Sequence, residues 1–134
     1  MASKIVTDPA RCSGCRYCEV VCVELHEEII NPRWSRILVR KQEEQGLDVP
    51  GVCLQCADAP CAAACPVEAI RFDSRTGAWL VDENACTGCG LCVEACQYDA
   101  IHLHPERSTA YKCDHCGGAP ECVRICNLGA LKWE

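Results

Sequence analysis

The chain has 134 residues, 16 of them cysteine, and 19 acidic against 13 basic residues leave a net charge of -6. Ile, Val, Leu and Phe together number 28, too few large side chains for an aliphatic core of ordinary density, so the cysteines must fill the middle. No apolar run approaches the ~20 residues of a membrane span, and an acidic chain with few aromatics and no basic stripe is a poor nucleic-acid binder. The opening Met1 to Pro9 has no apolar export segment and no twin-arginine pair, so the expected setting is cytoplasmic, without direct membrane insertion.

In chain order, the first cysteine group is Cys12, Cys15, Cys18 and Cys22, spaced C-x2-C-x2-C-x3-C. An excursion over residues 23–52 follows, carrying Asn31-Pro32, Trp34, a short strand over Ile37 to Val39 and a charged run from Lys41 to Glu44. It reads as a surface excursion and a docking element. Group two is Cys53, Cys56, Cys61 and Cys65, spaced C-x2-C-x4-C-x3-C and followed by Pro66. The small residues Ala62 to Ala64 inside it predict a single helical turn, with Cys61 and Cys65 on one face at i and i+4.

Ile70 to Phe72 and Trp79 to Val81 flank Asp73-Ser74-Arg75-Thr76-Gly77, which predicts a β-hairpin with a glycine-containing loop. Group three, Cys86, Cys89, Cys92 and Cys96, repeats the spacing of group one. Group four, Cys113, Cys116, Cys122 and Cys126, is group two with one residue added. Ile101 to Leu103 and Leu131 to Trp133 are further short strands. Asp8 and Asp82 each stand four residues before a compact group, and Ala59-Pro60 and Ala119-Pro120 occupy matching places in the expanded ones. The chain therefore reads as an internal duplication, 1–75 and 76–134, within one compact domain.

Sixteen thiols admit three explanations. Disulfides belong to exported chains, and cysteines two residues apart make a poor bridging framework. Structural zinc uses two C-x2-C pairs separated by a longer loop, and the third and fourth cysteines here would crowd its tetrahedral site. Iron–sulfur clusters fit: C-x2-C-x2-C-x3-C is the bacterial ferredoxin spacing, in which three thiolates wrap one cubane and the fourth ligates a different cluster. Four groups of four imply four [4Fe–4S] clusters. Gly14, Gly88 and Gly90 would let backbone N–H groups approach the cluster sulfurs closely.

The chain resembles, from Asp8 to Trp133, the four-cluster polyferredoxin electron-transfer subunits of molybdenum- and tungsten-pterin oxidoreductases, hydrogenases and carbon monoxide dehydrogenases. The resemblance is carried by Cys53-Leu54-Gln55-Cys56, Ala59-Pro60-Cys61, Cys65-Pro66 and Cys113-Asp114-His115-Cys116-Gly117. It implies an α+β, duplicated bacterial-ferredoxin-like fold, with short hairpins and short helices wrapped around the clusters. It also implies ligand sets that cross between groups. Cys12, Cys15 and Cys18 would join Cys126, and Cys113, Cys116 and Cys122 would join Cys22. Cys53, Cys56 and Cys61 would join Cys96, and Cys86, Cys89 and Cys92 would join Cys65. Spacing alone leaves other partners open. Pro follows the fourth cysteine only in group two, with Val23, Gln97 and Asn127 in the other three places.

A cubane held by four thiolates has no open position for substrate and passes single electrons. The expected role is a non-catalytic electron-transfer subunit. It would link a larger catalytic subunit, a tungsten- or molybdenum-pterin enzyme or a hydrogenase, to a second redox subunit or carrier. A free polyferredoxin serving several enzymes is the runner-up, and a zinc-loaded interaction module the reading from another class. No dinucleotide loop, P-loop or C-x3-C-x2-C triplet supports catalysis. Trp34, Arg36 and Lys41 are the expected docking residues. Trp79 and Trp133 are expected to cap the small cores, His115 to be a polar loop residue, and His102 and His104 to be surface groups.

Overall fold

The structure, a computed structural model, describes residues 4–27 and 31–134. Its regular elements are β1 (Ile5–Thr7), α1 (Tyr17–His26), β2 (Leu38–Gln42), β3 (Leu47–Gly51), α2 (Pro60–Ala64), β4 (Ile70–Asp73), β5 (Ala78–Val81), α3 (Leu91–Ala95), β6 (Ile101–Leu103), β7 (Ala110–Lys112), α4 (Glu121–Ile125) and β8 (Leu131–Trp133). Among the described residues the strands pair as two-stranded antiparallel ribbons. Three are hairpins, β2 with β3, β4 with β5 and β6 with β7. The fourth joins the two ends of the chain, with Ile5 opposite Trp133 and Thr7 opposite Leu131.

One local device recurs at three cysteine groups. Each five-residue helix, α2, α3 or α4, stops just before the fourth cysteine, so Cys65, Cys96 and Cys126 are C-caps with extended backbone. The expected i,i+4 alignment of Cys61 and Cys65 on one helix face is therefore not what forms, because leaving the helix turns the fourth sulfur away from the first three. Three residues on, Glu68, Asp99 and Gly129 take left-handed backbone. This tight reversal delivers a buried alanine (Ala69, Ala100 or Ala130) and then the first core residue of a strand, Ile70, Ile101 or Leu131. Only α1 runs on past its cysteine, from Tyr17 to His26, with Cys22 inside it.

Buried aliphatics form two small clusters, each with cysteines as members. Ile5, Ile37, Val39, Val52 and Leu131 pack with Cys18, Cys22, Cys113 and Cys122, and Trp133 lies against them. Ile70, Ile101 and Ala110 pack with Cys92, and Trp79 and Val81 lie against them. The first cluster thus unites the two ends of the sequence, and the second the middle. Helix packing follows the same nesting, α1 on α4 and α2 on α3.

The excursion is not merely a surface loop. Ser35, Ile37, Val39 and Val52 are buried, and the Glu19 carboxylate, also buried, accepts the Val39 N–H at 2.6 Å and pairs with Arg16 at 3.0 Å. Burial of the 37–39 face is what pulls the hairpin onto α1. Residues 28–30 of the excursion lie outside the described residues. No helix among the described residues is long and apolar enough to cross a membrane.

Gly88 shows how tightly the loops are wound. Its φ is +75°, and a Cβ there would lie 2.2 Å from the Ser108 carbonyl oxygen. Gly88→Ala is expected to destabilise the folded protein by at least about 1–2 kcal/mol from the left-handed backbone alone, with the backbone clash added. Anaerobic denaturant titration of the variant beside the wild type measures this.

Candidate metal centres

Four cavities are each lined by four cysteines. One takes Cys12, Cys15 and Cys18 with Cys126, and a second takes Cys113, Cys116 and Cys122 with Cys22. A third takes Cys53, Cys56 and Cys61 with Cys96, and a fourth takes Cys86, Cys89 and Cys92 with Cys65. In each, three thiols come from one group and the fourth arrives from another, carried there by a helix end or, for Cys22, by α1. Sixteen cysteines are thereby distributed with none repeated. Cys15 and Cys89 are the exposed members, one in the first cavity and one in the fourth.

The chemistry of this donor set fits iron–sulfur clusters. Burial, aided by neighbouring acidic groups and thiols, pushes the Cys18 thiol up to about 12. Burial likewise pushes Cys113 up to about 12 and Cys92 to about 11, and raises Cys122 and Cys61. Four such sulfurs ionise together only if a cationic metal core neutralises them. The backbone is already arranged to hold them as acceptors. Ala69 N–H donates to Cys65 Sγ at 3.2 Å and Ala100 N–H to Cys96 Sγ at 3.5 Å, both directly after the left-handed reversal. Gln55 N–H reaches Cys53 Sγ and Ala110 N–H reaches Cys86 Sγ, each at 3.3 Å. Such bonds to sulfur orient the ligand and tune the cluster it holds.

A charged network borders the second cavity. His26 Nε2 donates to Asp114 Oδ1 at 2.9 Å and Nδ1 faces the Cys22 carbonyl oxygen at 2.7 Å. Both ring nitrogens meet acceptors, so the ring is an imidazolium. Burial opposes that charge, but the Asp114 carboxylate and the Cys22 thiol together outweigh it and hold His26 well above the ordinary histidine range. Asp114 also takes Arg36 at 3.4 Å and the Cys116 N–H at 2.9 Å. Against the cost of burial, His26, the Cys116 N–H and Arg36 together bring its carboxyl down to about 2.

Several side chains stand elsewhere than the sequence suggests. His115 is fully buried, donating Nδ1–H to the Thr76 carbonyl at 3.0 Å and meeting Trp133 edge-on. His104 is buried too, stacked near Trp34 with ring centroids 4.6 Å apart and facing Glu27. The strand β6 ends at Leu103, so the alternation that would expose His104 stops one residue earlier. Trp34 is half-buried on His104, and Arg36 is taken up by Asp114 and the Tyr111 ring. Of the expected docking residues, only Lys41 stands exposed. Sequence reasoning missed His26, Glu19, Asp114 and Lys112, since isolated charged residues carry no spacing signal.

The model of the 4Fe-4S dicluster domain matches residues 45–134, which contain cysteine groups two, three and four. The chain belongs to the 4Fe-4S dicluster domain family. That description, together with the cysteine groups inside the matched residues, supports [4Fe–4S] clusters as the bound cofactor. Among curated relatives of this chain is the aliphatic sulfonate oxidoreductase polyferredoxin-like subunit of Pyrococcus furiosus, 46% identical over 123 residues, covering 92% of this chain and 70% of that one. Another is the thiosulfate reductase electron transfer subunit PhsB of Salmonella typhi, 33% identical, covering 94% and 72%. A chain of the active site complex BamBC of benzoyl coenzyme A reductase shares the fold, with a TM-score of 0.56 at 24% identity, covering 99% of this chain and 79% of that one.

Asp114 accepts from three donors, two of them charged. Asp114→Asn is expected to cost about 1.5–3 kcal/mol, read from anaerobic denaturant midpoints. A lowered carboxylate contributes its stability above its unfolded value, so the gap from wild type is full above pH 3.8 and closes as pH falls toward 2.

Proposed function

We propose that this chain holds four [4Fe–4S] clusters and relays single electrons between a larger catalytic oxidoreductase subunit and a second redox subunit or carrier. The observation that carries the proposal is the sorting of sixteen cysteines into four cavities of four. Each bound cluster would supply one-electron uptake and release, with no coordination position left open for a substrate. The ligand sets we assign are Cys12, Cys15, Cys18 and Cys126; Cys22, Cys113, Cys116 and Cys122; Cys53, Cys56, Cys61 and Cys96; and Cys65, Cys86, Cys89 and Cys92.

Shared elements and packing link these sites one to the next. Helix α1 carries Cys18 of the first and Cys22 of the second. Cys53 of the third packs in the same cluster as Cys22 and Cys113 of the second. Helix α2 and its cap carry Cys61 of the third and Cys65 of the fourth. The exposed Cys15 and Cys89 then lie at opposite ends of the relay, where electrons enter and leave.

We also read the chain as the duplication 1–75 and 76–134. In that register β1 corresponds to β5 and β8 to β4, so each of the β1–β8 and β4–β5 ribbons takes one strand from each half. Such an exchange supports the crossing of ligands between groups one and four and between two and three. For the catalytic partner we favour a tungsten- or molybdenum-pterin oxidoreductase, in keeping with the oxidoreductase and reductase names of the relatives. A cytoplasmic setting accords with an acidic chain of this composition.

Anaerobic purification from the native host, with elemental analysis of whatever stays bound, tests this. We expect about sixteen iron atoms per chain, with tungsten, molybdenum or nickel in a co-purifying larger chain. Iron alone would make the protein a free polyferredoxin, and zinc in place of iron would end the proposal. Cys126→Ala should remove about four irons, and the paramagnetic signal of one cluster, from a site whose other ligands are Cys12, Cys15 and Cys18.

A further inference from the structure

Lys112 is the last residue of β7 and is buried, 3% exposed. Its Nζ donates to Gln55 Oε1 and to the Cys113 carbonyl, each at 2.9 Å, and to the Trp79 carbonyl. All three acceptors are neutral. Among the ion pairs of the described residues, none involves Lys112. A buried ammonium without a counter-ion is costly unless negative charge lies close by. The side chain lines the cavity of Cys53, Cys56, Cys61 and Cys96. A [4Fe–4S] core with its four thiolates is net anionic and supplies that charge.

The placement is one-sided. Lys112 immediately precedes Cys113, and the residue in the matching place before Cys53 is the buried, apolar Val52. The other charged residue lining the Cys53 cavity, Asp58, is exposed to solvent, where its field is screened. The fourth cavity is lined by no charged side chain. An ammonium held by fixed carbonyls is a preorganised charge, and in a buried setting it acts on a neighbouring anion with less screening than at the surface.

We propose that Lys112 raises the reduction potential of the cluster held by Cys53, Cys56, Cys61 and Cys96, making it the electron-holding step inside the relay. Gln55 is the positioning residue. Its Oε1 accepts from both Lys112 and the Trp79 N–H, and its Nε2 donates to the Cys113 carbonyl at 2.9 Å. The step concerned is the uptake of one electron at that site, from a neighbouring cluster or, in the assay, from dithionite. No bond breaks and no proton moves. The added negative charge is met by the ammonium already in place. The inference rests on reading the cavities as cluster sites.

The experiment is a dithionite titration of the holo-protein followed by electron paramagnetic resonance, with iron and sulfide counted in the same samples. Two variants are compared with wild type: Lys112→Gln, which removes the charge, and Gln55→Glu, which neutralises it with a carboxylate. In both, one midpoint is expected to move furthest to lower potential, the same one in each, with a smaller shift at the site that holds Cys113, whose carbonyl Lys112 also meets. If Lys112→Gln fails to assemble, the shift in Gln55→Glu alone still decides. Unshifted midpoints at unchanged iron content would overturn the role of Lys112. A wild type without iron would instead overturn the cluster reading beneath it.

Discussion

Folding this chain means collecting sixteen thiols, all but Cys15 and Cys89 buried or half-buried, around an interior that has few aliphatic side chains to offer. Burial pushes the thiols of Cys18, Cys92 and Cys113 up, against ionisation, and clustering them sharpens the resistance because each thiolate repels the next. A metal core reverses that balance. It turns four mutually repelling sulfurs into the centre of a small hydrophobic unit, with the aliphatic residues as a thin layer around it. Metal binding would then be coupled to folding. The short strands and five-residue helices follow, because backbone that must encircle a cavity every few residues has little length left for regular structure.

Nesting is the second organising feature. The ends of the chain pair as β1 and β8, α1 packs on α4, and the middle of the chain forms the other unit around α2 and α3. Neither hydrophobic cluster belongs to one stretch of sequence. A cysteine leaving its helix in extended conformation therefore finds itself in a cavity built by a distant group, and each cavity ties two parts of the chain together. The price of that arrangement is strain at left-handed residues such as Glu68 and Asp99, offset by the N–H bonds to sulfur that those turns create.

Charge is distributed less evenly than thiols. Around the second cavity His26 and Arg36 share the Asp114 carboxylate, two cations on one anion that also caps the Cys116 N–H. Beside the third cavity Lys112 is held by neutral oxygens alone. These two patterns have different electrostatic consequences. Direct ion pairs stiffen the loop that carries the ligands, whereas a buried charge with no carboxylate partner exerts its field on whatever anion is nearest.

Spacing along the chain determined the kind of chemistry here. C-x2-C-x2-C-x3-C specifies local loops around a cubane, because the distance between neighbouring ligands is set by covalent geometry and needs no tertiary information. The β4–β5 hairpin and the strands at Ile101 and Leu131 were legible for the same local reason, turn residues between β-branched or aromatic neighbours. What only the tertiary structure decided were the meetings between residues far apart in sequence: Cys126 with Cys12, His26 with Asp114, Lys112 with Gln55, Trp34 with His104. Each depends on how elements pack, and a single histidine or lysine carries no periodicity to announce its burial. The excursion misled for a related reason. Its polar tip was visible in the sequence, while the burial of Ile37 and Val39 required α1 and the buried Glu19 carboxylate to be in place.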